Sequence, residues 1–318
     1  MSAECAKLTP ERVAVATYRA VRRAAVELRP DVLAGIEDAL ARETAPRARA
    51  VFESMLENAR IGREDGVPIC QDTGTCWVRL EIGEELTVPG NILSGVDDAV
   101  ARAYTDGKLR MSVLADALCD RTNTGDNTPA FSEVAFRPGR GATLHVLLKG
   151  GGSDNASRVV MLAPGAGWEG VKATVLDCVR EKAANACPPL IVGVGVGATF
   201  DKVAGLAKHA LLRQVGTPAA SEQHAAYEAE LLSAVNATGI GPAALGGGCT
   251  ALAVHLETAP CHIAALPVAV NMGCSAMRSR SIDLIDWETG ELVENDFEAA
   301  EGDASPDATG PDAKEASR

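Results

Sequence analysis

Residues 190–196 read Leu-Ile-Val-Gly-Val-Gly-Val, a short and continuous apolar run. A run of this length, rich in β-branched residues, is typical of a strand that is buried on both faces. Two further apolar runs, at 250–257 and 265–271, also predict buried strands. Residues 77–82 and 143–148 alternate between apolar and polar side chains, as half-buried strands do. We therefore expect a sheet built from residues that follow position 67.

Helical patterns surround these strands. The first sixty residues predict three helices, which begin near Thr9-Pro10, Asp31 and Pro46, because N-capping residues and prolines favour a helix start. Further helical patterns lie at 91–106, 168–185, 201–213 and 221–238. Because helices and strands interleave, the sequence predicts an α/β fold in which an N-terminal helical layer is followed by a mixed sheet with packed helices.

The negative charge of the chain is concentrated at its C-terminus. The formal net charge is −13 over 318 residues, and residues 286–318 hold eleven acids against only Lys314 and Arg318. We expect residues 1–285 to form the folded domain and residues 286–318 to be an acidic, disordered tail. The lack of a basic stripe argues against nucleic acid as a partner. Without a long apolar window or an apolar N-terminal segment, the sequence predicts a cytoplasmic protein with no membrane association.

Nine cysteines, an odd number, are spread along the chain with no CxxC pair. In a cytoplasmic protein they are expected to be reduced thiols or metal ligands rather than a disulfide framework. Any metal site must therefore gather cysteines from distant segments. A lone free cysteine is more often a small buried apolar residue, which is the interpretation for Cys5, Cys76, Cys119, Cys178, Cys249 and Cys261.

Polar loops, several of them rich in glycine, punctuate the strands and helices. Such loops are where a scaffold usually carries its functional site, and glycine lets a backbone N–H approach an anion closely. They read CQDTGT at 70–75, RTNTGDNTP at 121–129, KGGGSDN at 149–155, ACPP at 186–189 and PCH through GC at 260–274.

Gly193, Gly195 and Gly197 invite comparison with a dinucleotide-binding fingerprint. That motif requires a second strand ending in an acidic residue about twenty positions on. Glu222 stands near that distance, but no predicted strand leads into it. We instead expect these glycines to allow tight packing of the strand.

The loop motifs resemble those of the class I fumarate hydratases and the related L-tartrate dehydratases. The resemblance covers roughly residues 10–285, in separate blocks that occur in the same order. The chain stops where single-chain members continue into a second domain, so it resembles the α subunit of a two-subunit form. The resemblance therefore implies the fold of the class I fumarase α subunit and a separate β subunit that supplies further substrate-binding residues, with heterodimers that pair further.

The resemblance also implies a [4Fe–4S] cluster held by Cys70, Cys187 and Cys274. Thiolates suit iron–sulfur clusters, and three protein ligands leave one iron open, as in other catalytic metal sites. An open iron can bind a substrate hydroxyl and polarise its C–O bond. The implied activity is the reversible hydration of fumarate to (S)-malate.

The small dicarboxylic acid that would be the substrate needs cations and a proton acceptor. The resemblance implies that Gln71, Asp72, Arg121, Gly151 and His262 bind it, and Asp72 and His262 are candidate bases. The base can equally come from the β subunit, and Lys149 can either serve the site or face solvent.

Within the family, the loops at 121–130 and 149–153 favour fumarate over L-tartrate, with mesaconate or a related branched dicarboxylate as further alternatives. A non-catalytic iron–sulfur or oxidation-sensing protein is the alternative from another class. Such a protein would not need Gln71, Asp72, Arg121 and His262. A structural metal site is disfavoured because such sites are closed and usually have closely spaced ligands.

Overall fold

The computed structural model describes residues 8–293, and it confirms the predicted α/β fold. Its helices are α1 (Pro10–Val26), α2 (Pro30–Arg42), α3 (Pro46–Asp65), α4 (Val96–Asp106), α5 (Gly151–Asn155), α6 (Gly167–Lys182), α7 (Phe200–Ala210) and α8 (Glu222–Asn236). Its strands are β1 (Thr75–Gly83), β2 (Phe131–Arg137), β3 (Ala142–Lys149), β4 (Arg158–Leu162), β5 (Leu190–Ala198), β6 (Ala251–Cys261), β7 (Leu266–Gly273) and β8 (Arg278–Ile285). These strands form two mixed sheets of four rather than one.

The first sheet has the strand order β2-β1-β3-β8. Strand β1 runs parallel to β2 and antiparallel to β3, which in turn pairs antiparallel with β8. Helices α1 and α4 contact each other, and α1 also packs on β3 and β8. The predicted start of α1 is confirmed, because the Thr9 hydroxyl accepts a hydrogen bond from the Arg12 backbone N–H at 3.3 Å and Pro10 opens the helix.

The second sheet has the order β4-β7-β5-β6. One of its two central strands, β5, contains the apolar run at 190–196. Strand β5 pairs parallel with β6 and antiparallel with β7. Helix α7 lies directly against β5, since a Cβ on Gly193 would come within 2.0 Å of the Ala207 carbonyl oxygen. Gly195 likewise faces the α7 backbone, whereas Gly197 faces the Ala259 carbonyl of β6, so all three glycines allow tight packing of β5.

A shared core joins the two sheets. Trp77 of β1 and Leu147 of β3 are buried in one cluster with Ile191 of β5, and residues of α2 and α3, such as Ile36 and Phe52, complete this cluster. The N-terminal helices therefore pack against both sheets at once. Because interiors are close-packed, this shared core fixes the position of the loops that lie where the two sheets meet.

The folded part of the chain extends beyond the predicted boundary at residue 285. Trp287 donates a hydrogen bond from its indole to the Thr143 hydroxyl at 2.8 Å, and the Arg137 guanidinium stacks 4.8 Å above its ring. The Arg12 side chain donates to the Val293 carbonyl at 2.7 Å. A tryptophan can bury a large apolar area while its N–H forms a hydrogen bond. The average composition of residues 286–318 does not reveal that this single residue packs on the fold. Residues 294–318, where the rest of the predicted tail falls, lie outside the described residues.

Within residues 8–293, no helix has both the length and the apolar character needed to cross a bilayer.

Candidate functional site

Four of the predicted loops meet where the two sheets join. The 70–74 loop leads into β1, and the 150–152 loop follows β3, whose register pairs Thr75 with Lys149. Cys187 precedes β5, and Cys274 follows β7; the register of these strands pairs Ile191 with Gly273. The Ser275 backbone N–H donates to the Cys187 carbonyl at 3.0 Å, which holds the last two loops together. Strand pairing therefore brings segments that are distant in sequence to one place.

The three cysteines singled out by the sequence lie near one another. Burial raises the pKa of the Cys187 thiol, and the neighbouring Cys274, Cys70 and Asp72 raise it further. All three thiols are free of disulfides, and Cys187 is exposed with a left-handed backbone (φ 54°). A thiol group whose neighbours disfavour its ionisation, as at Cys187, is well suited to a cation, which reverses that repulsion.

The other described cysteines have different surroundings. Cys76 and Cys178 are buried in the two hydrophobic cores, and burial raises the pKa of Cys76 to about 12. Burial likewise raises the pKa of Cys249 to about 11. The exposed Cys261 thiol donates to the Ala265 carbonyl at 3.3 Å. Cys76, Cys178 and Cys249 are poor candidates for metal ligands because they pack among apolar side chains, where burial keeps the thiol protonated.

Asp72 lies at the centre of the site. Its Oδ2 accepts a hydrogen bond from the Gly151 backbone N–H at 2.8 Å, and its Oδ1 accepts one from Arg110 Nη2 at 3.2 Å. A Cβ on Gly150 would lie 3.1 Å from Asp72 Oδ2 and 3.4 Å from Arg278 Nη2. The glycine-rich loop thus fits closely around this carboxylate. Gln71 is exposed beside it, where its Oε1 accepts from the Cys70 thiol at 3.7 Å.

A network of buried polar groups fixes the segment that carries Arg110. Thr73 donates its hydroxyl hydrogen to the Arg110 carbonyl at 2.7 Å. The fully buried Asn127 accepts from the Ser112 backbone N–H at 2.7 Å and donates to the Gly74 carbonyl at 3.2 Å. Asn127 has φ 63°, a conformation that asparagine tolerates better than most residues. The NTGDN motif therefore supports the CQDTGT loop.

Arg121, the predicted substrate-binding arginine, makes a local contact. Its exposed guanidinium donates to the Ala117 carbonyl at 2.6 Å, within a local turn in which Ala115 and Thr122 are hydrogen-bonded. The cation that contacts Asp72 is Arg110, eleven residues earlier. The substrate-binding role of Arg121 is implied by the family resemblance and stays a prediction.

His262 lies away from Cys274. It was predicted to share a loop with Cys274, but β7 (Leu266–Gly273) intervenes. An eight-residue strand spans about 23 Å from its first to its last residue at about 3.3 Å per residue, so His262 and Cys274 flank opposite ends of β7. His262 Nδ1 accepts from the Ala264 backbone N–H at 3.1 Å, beside an apolar pocket that Trp168 and Tyr227 line.

Two buried cations near Asp72 were not assigned by sequence reasoning. Lys149 is 3% exposed, and its ammonium donates to the Ser153 hydroxyl at 2.8 Å and the Met272 carbonyl at 2.6 Å. Burial lowers the pKa of Lys149 to about 8. Arg278 is 1% exposed, and its buried Nε and Nη1 have no hydrogen-bond partner among the described residues.

An unpartnered buried guanidinium is costly. Arg278 therefore points to an anion that completes the site, since an arginine side chain offers five donors and no acceptor. It is the first residue of β8 and is paired in register with Leu148. From sequence alone, its place after Cys274 favours a structural or interface role. Cysteines, a carboxylate and buried cations thus converge on one place, as expected of a metal centre that binds an anionic molecule.

Comparison with known proteins defines the class to which this fold and site belong. The sequence model described as Fumarate hydratase (Fumerase) matches residues 14–283. The chain therefore belongs to that family, the class I iron–sulfur-dependent hydro-lyases.

Two relatives give a finer comparison. The chain is 36% identical over 263 residues to the "Putative L(+)-tartrate dehydratase subunit alpha" of Methanocaldococcus jannaschii, which covers 81% of this chain and 92% of the relative. It is 32% identical over 252 residues to the L(+)-tartrate dehydratase subunit alpha of Escherichia coli, which covers 78% of this chain and 82% of the relative. Both relatives are named as alpha subunits, and neither is named as a fumarate hydratase.

Proposed function

We propose that this chain is the α subunit of an iron–sulfur hydro-lyase that removes water from a small hydroxy dicarboxylic acid, with L(+)-tartrate as its main substrate. The observation that carries the reaction class is the convergence of Cys70, Cys187 and Cys274 beside the Asp72 carboxylate. The choice of L(+)-tartrate as the substrate rests on the names of the relatives.

The chemistry of this donor set fits a [4Fe–4S] cluster. Three free thiols converge, and the other cysteines within residues 8–293 lie in hydrophobic cores or in other loops. Cys70, Cys187 and Cys274 would hold three of the four irons. The fourth iron would remain open to substrate. The buried, unpartnered Arg278 supports the fit, because a cluster with three thiolates carries negative charge.

When bound, such a cluster supplies a Lewis acid that polarises the C–O bond of the departing hydroxyl. The remaining work falls to the side chains of this chain. Arg110 and the Gly151 backbone N–H hold Asp72 by hydrogen bonds, and both can exchange that carboxylate for a substrate carboxylate. In this proposal Asp72 accepts the carbon-bound proton, because His262 lies at the far end of β7. A separate β subunit covers the exposed face of the site and adds further substrate contacts.

Hydration of fumarate is the second candidate. It rests on the loops at 121–130 and 149–153, whose NTGDN and KGGGS sequences resemble the fumarase branch. Small changes in binding loops can redirect specificity between related acids. Tartrate is preferred here because the relatives match over most of the chain rather than over two loops.

Anaerobic co-expression with the β subunit, followed by assays with L-tartrate, malate, fumarate and mesaconate, tests both the reaction class and the substrate. We expect conversion of L-tartrate to oxaloacetate, with kcat/KM at least about tenfold above that for any other acid. A tenfold preference for fumarate or malate would overturn the substrate and leave the reaction class intact. An intact cluster with no turnover of any of the four acids would contradict the hydro-lyase proposal and favour the oxidation-sensing alternative.

A further inference from the structure

A second cluster of ligating side chains lies within the first sheet, away from the cysteines. Glu81 comes from β1, His145 from the adjacent β3, and His209 from the last turn of α7. His145 precedes Lys149 by four strand residues, which places the cluster about 13 Å along β3 from the site described above. Helix α7 packs on the second sheet, so the cluster bridges the two sheets.

The three side chains present one ligand atom each toward a common point. Their ligand atoms all lie within 4.8 Å of one another. His209 Nε2 is 3.2 Å from Glu81 Oε1, and His145 Nε2 is 3.8 Å from Glu81 Oε2. His145 is buried, and its Nε2 has no hydrogen-bond partner among the described residues. A buried ring nitrogen aimed at a carboxylate without bonding it is the observation that points to a missing ligand.

The outer nitrogens of both histidines are already oriented. His209 donates its Nδ1–H to Glu257 Oε1 at 2.7 Å, and His145 Nδ1 lies 2.8 Å from the Ser281 hydroxyl. Metal-binding histidines usually carry such a partner on the second ring nitrogen, because it fixes the ring orientation and the tautomer. The surroundings therefore leave the Nε2 atoms as the ligand atoms.

The charges around the cluster permit a cation. Glu81 is 2% exposed and contacts the guanidinium groups of Arg79 and Arg137. Arg79 is shared with Glu133 at 2.7 Å, and Glu257 adds a third carboxylate. The Arg137 side chain is 55% exposed and can turn to solvent. Three carboxylates therefore face two guanidinium groups, and the exposed guanidinium of Arg137 can move away from Glu81.

We propose that Glu81, His145 and His209 bind a divalent transition-metal ion of the zinc class, with water in the fourth position. Two imidazoles and one carboxylate form a donor set that Zn²⁺ accepts. The ion replaces Arg137 at Glu81 and displaces any proton on His209 Nε2 to solvent. Because its ligands come from both halves of the fold, the ion joins the two sheets. This site is independent of the cysteine site and of the hydro-lyase proposal.

The test uses the full-length chain, co-expressed with its β subunit, carrying Cys70→Ser, Cys187→Ser and Cys274→Ser so that the three thiols cannot compete. Titration with Zn²⁺ alone is expected to show one equivalent bound. His145→Gln and His209→Gln should each weaken binding at least about a hundredfold, whereas His224→Gln, in a half-buried histidine of α8 outside the cluster, should not. Arg137→Gln should tighten binding because it removes the competing cation.

Absence of stoichiometric Zn²⁺ binding would overturn the proposal, as would equal affinity in all three histidine variants. His145 is buried, so His145→Gln can fail to fold; the half-buried His209 and the Co²⁺ absorption spectrum of the parent protein then decide. A spectrum of nitrogen and oxygen ligation is expected. A strong thiolate-to-cobalt charge-transfer band would place the ion on a cysteine instead and contradict the assignment.

Discussion

The cysteine site and the Glu81–His145–His209 cluster are built in opposite ways. The first collects residues from loops at strand ends, each within a recognisable motif, and the backbone positions them through contacts such as Gly151 to Asp72. The second collects residues from the middle of strands and one helix end, and no motif marks them. Strand register and helix packing alone bring Glu81, His145 and His209 together. Loop sites are therefore accessible from sequence, whereas mid-strand sites require the fold.

The largest effect is expected from replacing a cysteine ligand of the iron–sulfur cluster. Cys187→Ser should abolish the iron–sulfur cluster and all activity, because a hydroxyl is a poor substitute for a thiolate ligand. Cys261→Ser is the matched control and should retain both. Iron content and visible absorbance after anaerobic purification measure the effect. Similar iron content in the two variants would show that the ligand assignment is wrong.

Glu81→Gln should lower the free energy of unfolding and leave the iron–sulfur cluster intact. Glu81 is a buried carboxylate that contacts two guanidinium groups, and removing one member of a buried ion pair costs about 3 kcal/mol or more. We expect that loss in the free energy of urea unfolding, measured with a chelator present, while anaerobic cluster absorbance at low temperature stays unchanged. Glu133→Gln, at the exposed edge of the same network, is the control and should cost less than about 1 kcal/mol.

Separate replacement of Arg110 and Arg121 tests which arginine binds the substrate. The structure favours Arg110, which contacts Asp72, whereas the family resemblance implies Arg121. Arg110→Gln should lower kcat/KM about 10- to 100-fold, because a charge-assisted hydrogen bond to a carboxylate contributes about 1.5–3 kcal/mol. Arg121→Gln should change kcat/KM by less than about threefold, since its side chain bonds only to its own turn. If Arg121→Gln proved the more damaging change, the 115–122 turn would have to open during catalysis.

His255 offers a smaller effect that depends on pH. Both ring nitrogens are buried without a partner among the described residues, and burial lowers the pKa of His255 to about 4. The unfolded chain binds this proton near pH 6.5, so stability is complete above that pH and is lost as the pH falls towards 4.

At pH 5 the loss from His255 should reach about 2 kcal/mol relative to pH 7. Urea unfolding of the cluster-free protein at both pH values measures it. His255→Asn should flatten this pH dependence, and His224→Asn, at a half-buried position on α8, should leave it unchanged. An equally steep loss in His255→Asn would assign the acid sensitivity to other groups.

Sequence alone predicted the fold class, because apolar periodicity is a local signal. The residues of the cysteine site were proposed from the family resemblance of the loop motifs, and their roles stay predictions. The division into two sheets was not predicted, since pairing between β1 and β3 or β5 and β7 depends on contacts between distant segments. Trp287 packs on Thr143, and this lies beyond a boundary drawn from composition. Within the site, the contact between Arg110 and Asp72 was not predicted either, because it depends on how distant loops pack. Arg278 and Glu81 lie within strands, where sequence offers no functional signal.

Mössbauer spectroscopy of the ⁵⁷Fe-enriched, anaerobically prepared holoenzyme tests the central claim most directly. If Cys70, Cys187 and Cys274 hold a cluster beside Asp72, the spectrum should contain four irons, of which one changes its signal when L-tartrate or another substrate is added. A spectrum in which every iron is insensitive to all four acids, or a protein that binds no iron, would contradict the account.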